Sequence, residues 1–421
     1  MKAFSTPLNH DLLTFLLIKK FNLKIALIFL KKDKLLLFTT IYFIFISLSF
    51  IFSPYKDIAL WGFYERREGL IVLYSYLVFF LFLYFKKPNL FFLENLLIFT
   101  AITSVIIGLI GIFQFFGFNI FEISFVKYFI LNEYYSLLAD KLTFPRNQAF
   151  STLYNSNNLA HFLALLLPIF TVFFTLKIKK FWSIYFYFFL IIYFTALLAS
   201  RGRAGWISFL LTSIMFLLII FFRYKSKIGR FLLILAAFIS AFLFLNTLSN
   251  NTITKRASSI ITFISVNKNS TQGGFYAKYK NHLSSRMGIW INSLEISAEN
   301  ILIGSGPDTF ALFYHDHLPD DRRSKVLVDK PHNIYIQNLL NIGGLGLVSF
   351  LGIMIIFFYR AYHFLLEERL EANQNSVLLA LTLGVLGYLL AGMFYDSTVH
   401  VSPIFWVVLG LGAAMTRPRL I

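Results

Sequence analysis

The chain reads as long apolar blocks separated by short polar stretches. The blocks run Leu35–Phe52, Leu70–Phe85, Leu96–Phe116, Leu159–Leu176, Ile184–Ala199, Ala204–Phe222, Phe231–Leu248, Leu339–Phe358, Val377–Phe394 and Ser402–Met415. About 20 residues carry a helix across the hydrocarbon core of a bilayer. Backbone polar groups in that core must be bonded internally, and a helix does this within one segment. The strict alternation of an outer-membrane barrel strand is not seen. The pattern predicts an all-α polytopic membrane protein of ten spans; the count reaches about eleven or twelve if further segments cross. One such segment, Leu12 to Leu30, is interrupted by Lys19, Lys20 and Lys24. A lysine at the centre of a span costs roughly 2.5–3.5 kcal/mol, so residues 1–34 are read as a cytoplasmic, interfacial amphipathic segment. Residues 35–248 then form an N-terminal bundle, 249–335 an extracytoplasmic catalytic loop with short helices, and 336–421 the C-terminal spans.

Composition agrees with this and removes one alternative. Of 421 residues, 58% are hydrophobic and 14% charged, against roughly 45–50% and 25% in soluble domains. A net charge of +18 would suit nucleic acid, but the basic residues gather at block ends. They are Lys31, Lys32 and Lys34; Lys86 and Lys87; Lys177, Lys179 and Lys180; Arg223, Lys225, Lys227 and Arg230; and Arg417 and Arg419. Basic short loops mark the cytoplasmic face, so topology accounts for the excess and both termini are expected inside. With no cysteine there is no disulfide framework and no thiol metal site. No small-residue cleavage pattern follows the N-terminal apolar stretch, so no removable signal peptide is expected.

The candidate chemistry lies at the opposite block ends. Arg201 and Arg203 flank Gly202 between two spans, on the side where basic residues are scarce. In a helix, positions two apart do not share a face, so at most one of the two would enter a given cavity. Either lipid headgroups or a bound anion would account for them. Arg286 opens an amphipathic helix in which Met287, Trp290, Ile291, Leu294 and Ala298 recur at helical spacing, with Ser284 or Ser285 as cap. A cation in the first turn opposes the helix dipole, whereas free amides and a guanidinium together suit a phosphate; a solvated loop arginine is the other reading. Gly304-Ser305-Gly306-Pro307-Asp308 lacks the lysine and the preceding strand of a phosphate loop and reads as a tight turn. His332 follows Pro331, and proline favours the first helical position. The imidazole is therefore expected in the first turn of a helix entering the membrane, as a structural group or as a base for a hydroxyl. His315 and His317 flank Asp316, which leaves a metal site open there, although no metal is expected at His332.

Taken together these stretches resemble the O-antigen ligase and polymerase superfamily of bacterial envelope glycosyltransferases. The likeness runs from about Tyr64 to Trp406 through Glu65-Arg66-Arg67-Glu68-Gly69, Gln114 with Gly117, Asn155–Ala160, Ser200-Arg201-Gly202, Arg286 with Trp290, Gly304–Pro307 and Val328-Asp329-Lys330-Pro331-His332-Asn333. It departs at Ser156, where members often carry proline, and at Pro331, where alanine is common. The resemblance implies an architecture of the GT-C type in the bacterial inner membrane, with the site on the extracytoplasmic face. It implies transfer of a glycan from a polyprenyl-diphosphate carrier to a lipid, core-saccharide or protein acceptor, with no cofactor and inversion at the anomeric centre. Arg201 and Arg286 would hold the diphosphate and His332 would deprotonate the acceptor. Arg203, Arg66 and Arg67 would add to the anion site, and Asn333 and Gln337, four apart on one helical face, would bind sugar hydroxyls. Ligation, repeat-unit polymerisation and protein O-oligosaccharide transfer all fit. Outside the superfamily, a secondary transporter and an envelope-assembly scaffold are the competing readings. Tyr64, Tyr335 and Trp290 are expected to anchor at the membrane interface.

Overall fold

The computed structural model describes residues 30–64, 66–123, 125–126, 147–177, 183–258, 286–317, 328–367 and 372–418. Apart from Leu30, the amphipathic segment expected over residues 12–30 lies outside them, as do Glu65, Ser284 and Ser285. Among the described residues the chain forms helices and turns and no strand. The long elements are α1 (Lys34–Phe52), α2 (Lys56–Trp61), α3 (Leu70–Lys86), α4 (Leu90–Phe115), α5 (Ser156–Lys177), α6 (Ser183–Ala199), α7 (Arg203–Arg223) and α8 (Ile228–Leu248). They continue with α9 (Arg286–Ser297), α10 (Phe310–Asp316), α11 (Ile334–Leu366), α12 (Ala372–Ala391) and α13 (Ser402–Met415). Seven of these are long and apolar enough to cross a membrane, and α3, α6 and α13 are shorter apolar helices. Each of the ten blocks read from hydropathy is thus a helix. The protein is an all-α polytopic membrane protein.

At the centre α5 packs along α12, while α1 lies against α11, α3 against α13, and α6 between α4 and α8. Helices facing lipid keep apolar side chains on their surface; the central pair cannot, and 94% of the α5 window and 83% of the α12 window are buried. Close approach there depends on small residues. Pro168 has no N–H to offer the carbonyl four residues back, and α12 crosses at that point so tightly that a Cβ on Gly387 would sit 2.2 Å from Ala164 O. Ser208 Oγ on α7 donates to Gly387 O at 2.6 Å, tying a third helix to the pair.

The two ends of the bundle differ in chemistry. At one end basic side chains meet the last carbonyls of the helices, where orphan acceptors and the helix dipole favour cations. Arg417 donates to Tyr84 O and Phe85 O at 3.2 and 3.0 Å, and Arg223 donates to Leu365 O. Asp33 caps α1 and pairs with Arg360 at 2.6 Å. The other end holds the candidate chemistry.

There α11 is broken. Gly343 sits at φ 87° inside the helix, a left-handed conformation open to glycine. The break leaves the carbonyls of Leu340 and Asn341 without helical partners, and the 304–306 turn supplies them. Ser305 N donates to Leu340 O at 2.8 Å and Gly306 N to Asn341 O at 2.9 Å, while Gly344 N reaches Ile301 O at 2.6 Å. The Gly304–Asp308 stretch is a tight turn, docked on a helix break.

Candidate active site

The site is assembled by the Gly392–Val401 loop between α12 and α13; the hydropathy reading had carried the span on to Phe394, but the helix ends at Ala391. Four consecutive residues in it, Phe394, Tyr395, Asp396 and Ser397, each engage a different part of the chain. Phe394 lies against Trp290 of α9, with ring centroids 5.7 Å apart. Tyr395 faces the start of α7, Asp396 meets His332, and Ser397 joins a buried ion cluster.

His332 is not in a helical turn. Asn333 rather than Pro331 starts α11, because its side-chain oxygen accepts from Tyr335 N and Ile336 N at 2.9 and 3.2 Å and so caps the helix. His332 therefore precedes the cap, at φ 54°. A bulky residue in that region is strained and persists only where its surroundings over-determine it. They do so here. Trp290 Nε1 donates to Pro331 O at 2.8 Å, and Ile334 N donates to Gly392 O at 2.9 Å. Trp290 thus braces the histidine loop, and Tyr335 bonds Leu389 O at 3.0 Å; both expected interface anchors are bonded within the protein. Tyr64 is exposed, with Arg67 over its ring at 5.3 Å.

The strongest brace is Lys330, which is 1% exposed. Its ammonium reaches Glu68 Oε2 at 3.0 Å, Asp308 Oδ1 at 3.3 Å and Ser397 O at 3.0 Å. Burial opposes its charge, but Asp308, Glu68 and Asp396 outweigh that and hold its pKa above the usual lysine value. Glu68 is bonded on both oxygens, by Tyr76 and Ser397 on one and by Lys330 and Gln337 on the other. Gln337 Oε1 also accepts from Ser397 N at 2.8 Å. Both functional groups of Gln337 are thus committed inside the protein, and the Asn333 oxygen is spent on the cap. Arg66 pairs with Asp329, the residue before Lys330. Arg66, Glu68 and Asp308 together fasten the 328–333 segment to the first polar loop and to the 304–308 turn.

His332 Nδ1 lies 2.8 Å from Asp396 Oδ2. Burial alone would raise the Asp396 pKa, but the His332 hydrogen bond and the charges of His332, Lys330 and Arg66 lower it below the usual carboxylate value. An ionised carboxylate only accepts, so the Nδ1 that faces it carries a proton, and the other ring nitrogen, Nε2, is the one left to exchange a proton with a substrate. The imidazole side chain is 32% exposed and Asp396 11%.

On the other flank of the loop lie the arginines. Arg201, at φ 58°, stands in the turn before α7, and Arg203 is the first residue of that helix. The rule that residues two apart diverge does not govern them, because only one of the pair is helical. Gly202 between them has no room for a side chain: a Cβ would lie 2.3 Å from Ala160 Cβ and 2.6 Å from the Tyr395 hydroxyl. Ser200-Arg201-Gly202, the Asn155–Ala160 stretch and Tyr395 are thus in contact. Arg286 begins α9, and its charge, with those of Arg203 and Arg256, acts on Tyr395. Burial pushes the Tyr395 hydroxyl up to about 12 against those charges. Among the described residues no carboxylate pairs with Arg201 or Arg286. α9 buries Gly288, Ile289, Ser293 and Ser297, not the Met287–Trp290–Leu294 stripe, and Leu294 is exposed. α9 packs on α11, and Trp290, outside its buried face, reaches the histidine loop.

The remaining candidates are placed elsewhere or serve structure. Arg67 is at the surface beside Tyr64. Gln114 accepts from Phe150 N and Ser151 N and holds the loop before α5. His317 is bonded to Glu299 and Phe313 O, and among the described residues no group of metal-ligating side chains gathers. Sequence reasoning missed Arg256, Asp396, Lys330, Glu68 and Asp308. Glu68, Lys330 and Asp308 fell within stretches it had singled out, whereas Arg256 and Asp396 did not.

The arrangement is that of a membrane protein in which a carboxylate-oriented imidazole and a group of arginines share one end of a helical bundle. Residues 187–351 match the family model described as O-antigen ligase, from within α6 to within α11. The match takes in Arg201, Arg203, Arg256, Arg286 and His332, and leaves Glu68 and Asp396 outside. It supports the O-antigen ligase and polymerase superfamily for this chain and, with it, glycan transfer in general. Comparison with curated proteins returns no match.

Proposed function

We propose that this protein transfers a glycan from a polyprenyl-diphosphate carrier to an acceptor hydroxyl at the extracytoplasmic face of the bacterial inner membrane. The observation that carries the reading is the His332–Asp396 pair, at the same end of the bundle as Arg201 and Arg286, with which no described carboxylate pairs. Orientation rests on charge: Lys86, Lys177, Arg223 and Arg417 end helices at the bundle end opposite the site, and basic loops face the cytoplasm.

His332 Nε2 takes the proton of the acceptor hydroxyl, and Asp396 stabilises the imidazolium that forms. The acceptor oxygen bonds to the anomeric carbon as the bond from that carbon to the diphosphate breaks. The electron pair leaves on the diphosphate, whose charge Arg201 and Arg286 stabilise. Attack opposite the leaving group inverts the anomeric centre. The strained, braced His332 loop fits such a role, since positioning is retained only when the surroundings enforce it.

The test is reconstitution of the whole protein in liposomes with a polyprenyl-diphosphate-linked oligosaccharide and a hydroxyl acceptor. Consumption of the donor with inverted product supports the reading; an untouched donor with every acceptor class overturns it. Arg201→Ala, Arg286→Ala and His332→Ala are each expected to abolish transfer while the protein stays inserted, and full activity in any two contradicts the site.

A further inference from the structure

From the geometry we infer that Tyr154 and His400 form a stacking platform for a pyranose ring, a saccharide subsite at the start of α5. The inference rests on the function proposed above and names the pair of residues that would touch the sugar. Tyr154 stands in the turn before α5, and His400 lies in the Gly392–Val401 loop, four residues after Asp396. Their rings are nearly parallel, at 11° with centroids 6.4 Å apart, which is an offset stack. The Tyr154 side is 70% exposed, so most of its surface stays open beside that contact. Its backbone holds φ 67°, a conformation that a bulky residue keeps only where its surroundings impose it. They do so here. Asn155 N donates to Leu153 O at 2.7 Å, and Asn158 Nδ2 donates to the same oxygen at 3.0 Å. A strained turn that presents an aromatic face to water is costly to the folded protein alone. A ring with apolar C–H faces and hydroxyl edges offsets that cost by covering the face.

His400 adds a defined polar edge to this face. Asn158 Nδ2 lies 3.4 Å from His400 Nδ1, and its bond to Leu153 O fixes which end of the amide is the nitrogen. An amide nitrogen only donates, so Nδ1 accepts and the ring proton sits on Nε2. Burial, with the charges of Arg66 and Lys330, holds the His400 pKa below the usual histidine value, which keeps the ring neutral. An aromatic face with an N–H donor at its edge suits a pyranose, whose ring is apolar and whose rim is hydroxylated. The platform also adjoins both parts of the chemistry. His400 shares its loop with Asp396, which orients His332. The start of α5 meets the Arg201 turn, where Gln148 Nε2 bonds Ser156 Oγ at 2.7 Å and Ser200 O at 3.3 Å. The pyranose belongs either to the donor glycan or to a saccharide acceptor, and the experiment separates the two.

The experiment uses the whole purified protein in detergent, with saturation-transfer NMR as readout. One probe is the oligosaccharide of the transfer assay cleaved from its diphosphate carrier; the other is the acceptor saccharide. Saturation of the pyranose protons of the first assigns the platform to the donor glycan, and of the second to the acceptor. Tyr154→Ala is expected to weaken that binding by about three- to tenfold, the loss of one aromatic face. Tyr154→Phe keeps the face and is expected to restore it. Wild-type affinity in Tyr154→Ala overturns the inference, and is the result if the ring serves only as an anchor at the membrane interface. A loss in Tyr154→Phe equal to that in Tyr154→Ala overturns the stacking. A wild-type protein that transfers glycan but binds neither probe overturns the inference alone. Binding that depends on Tyr154 in a protein that transfers no glycan leaves the inference standing and overturns the function alone.

Discussion

At the scale of residues, the chemistry turns on how one histidine is oriented by a carboxylate. His332 bonds a carboxylate 64 positions away, and that distance explains why its partner was not legible in sequence. His332 itself was, because a titratable ring between a polar stretch and an apolar block is unusual. Arg201 was legible because it stands at a block end away from the basic clusters, and Arg286 because a cation in the first turn of an amphipathic helix opposes the helix dipole. Arg256 was not, since nothing in residues 252–258 ties it to Arg201 until the turn after α8 brings its Nε to the Arg201 carbonyl. Asp396 yields a pH prediction. Its pKa is depressed in the folded protein, so it contributes stability above the ordinary carboxylate pKa that is lost as pH falls through the folded value. Thermal melts of wild type and Asp396→Asn in detergent are expected to differ most near neutrality and to draw together only as pH falls below the ordinary carboxylate value, about 3.9, towards the lower folded one. A gap already closed at about pH 5, above that window, would contradict the assigned charge. In transfer assays the same variant is expected to lose about 100-fold or more in rate, with donor affinity retained.

At the scale of elements, two joints hold the site. The first is the break in α11, where a Cβ on Gly343 would lie 2.3 Å from Leu302 O in addition to the strain of its positive φ. Gly343→Ala is expected to lower the melting temperature clearly, whereas Gly229→Ala, with nothing within 4 Å of the added carbon, is expected to leave it unchanged. Equal melting temperatures in the two variants would remove the joint from the account. The second is Lys330, the cation between Glu68 and Asp308. Removing one partner of a buried ion pair costs roughly 3–5 kcal/mol, because it leaves charge uncompensated. Lys330→Met is expected to show a loss of that order in denaturation, and a loss below about 1 kcal/mol would mean the cluster is not charged as described. Apolar blocks announced the spans, because a membrane helix is written in continuous hydropathy. They could not announce these joints, since a break within an apolar run and a buried lysine in a polar loop leave no periodic trace.

At the scale of the whole molecule, the ten helices and their two unlike ends were legible, since length and basic clusters record both. The pairing of helices was not, because α5 meets α12 through small residues that hydropathy treats as ordinary. The absence of native cysteine allows orientation to be read directly. Single cysteines at Asn251 and at Ser226 are expected to react with an impermeant thiol reagent from the outside and only after membrane disruption, respectively. The reverse pattern would place the site in the cytoplasm and remove access to an extracytoplasmic donor. The central claim is chemical, however, and the most direct measurement is single-turnover glycan transfer by His332→Ala against wild type in the same liposomes. The account predicts that the variant still binds the diphosphate donor while transfer falls by about 100-fold or more; transfer at the wild-type rate would contradict it.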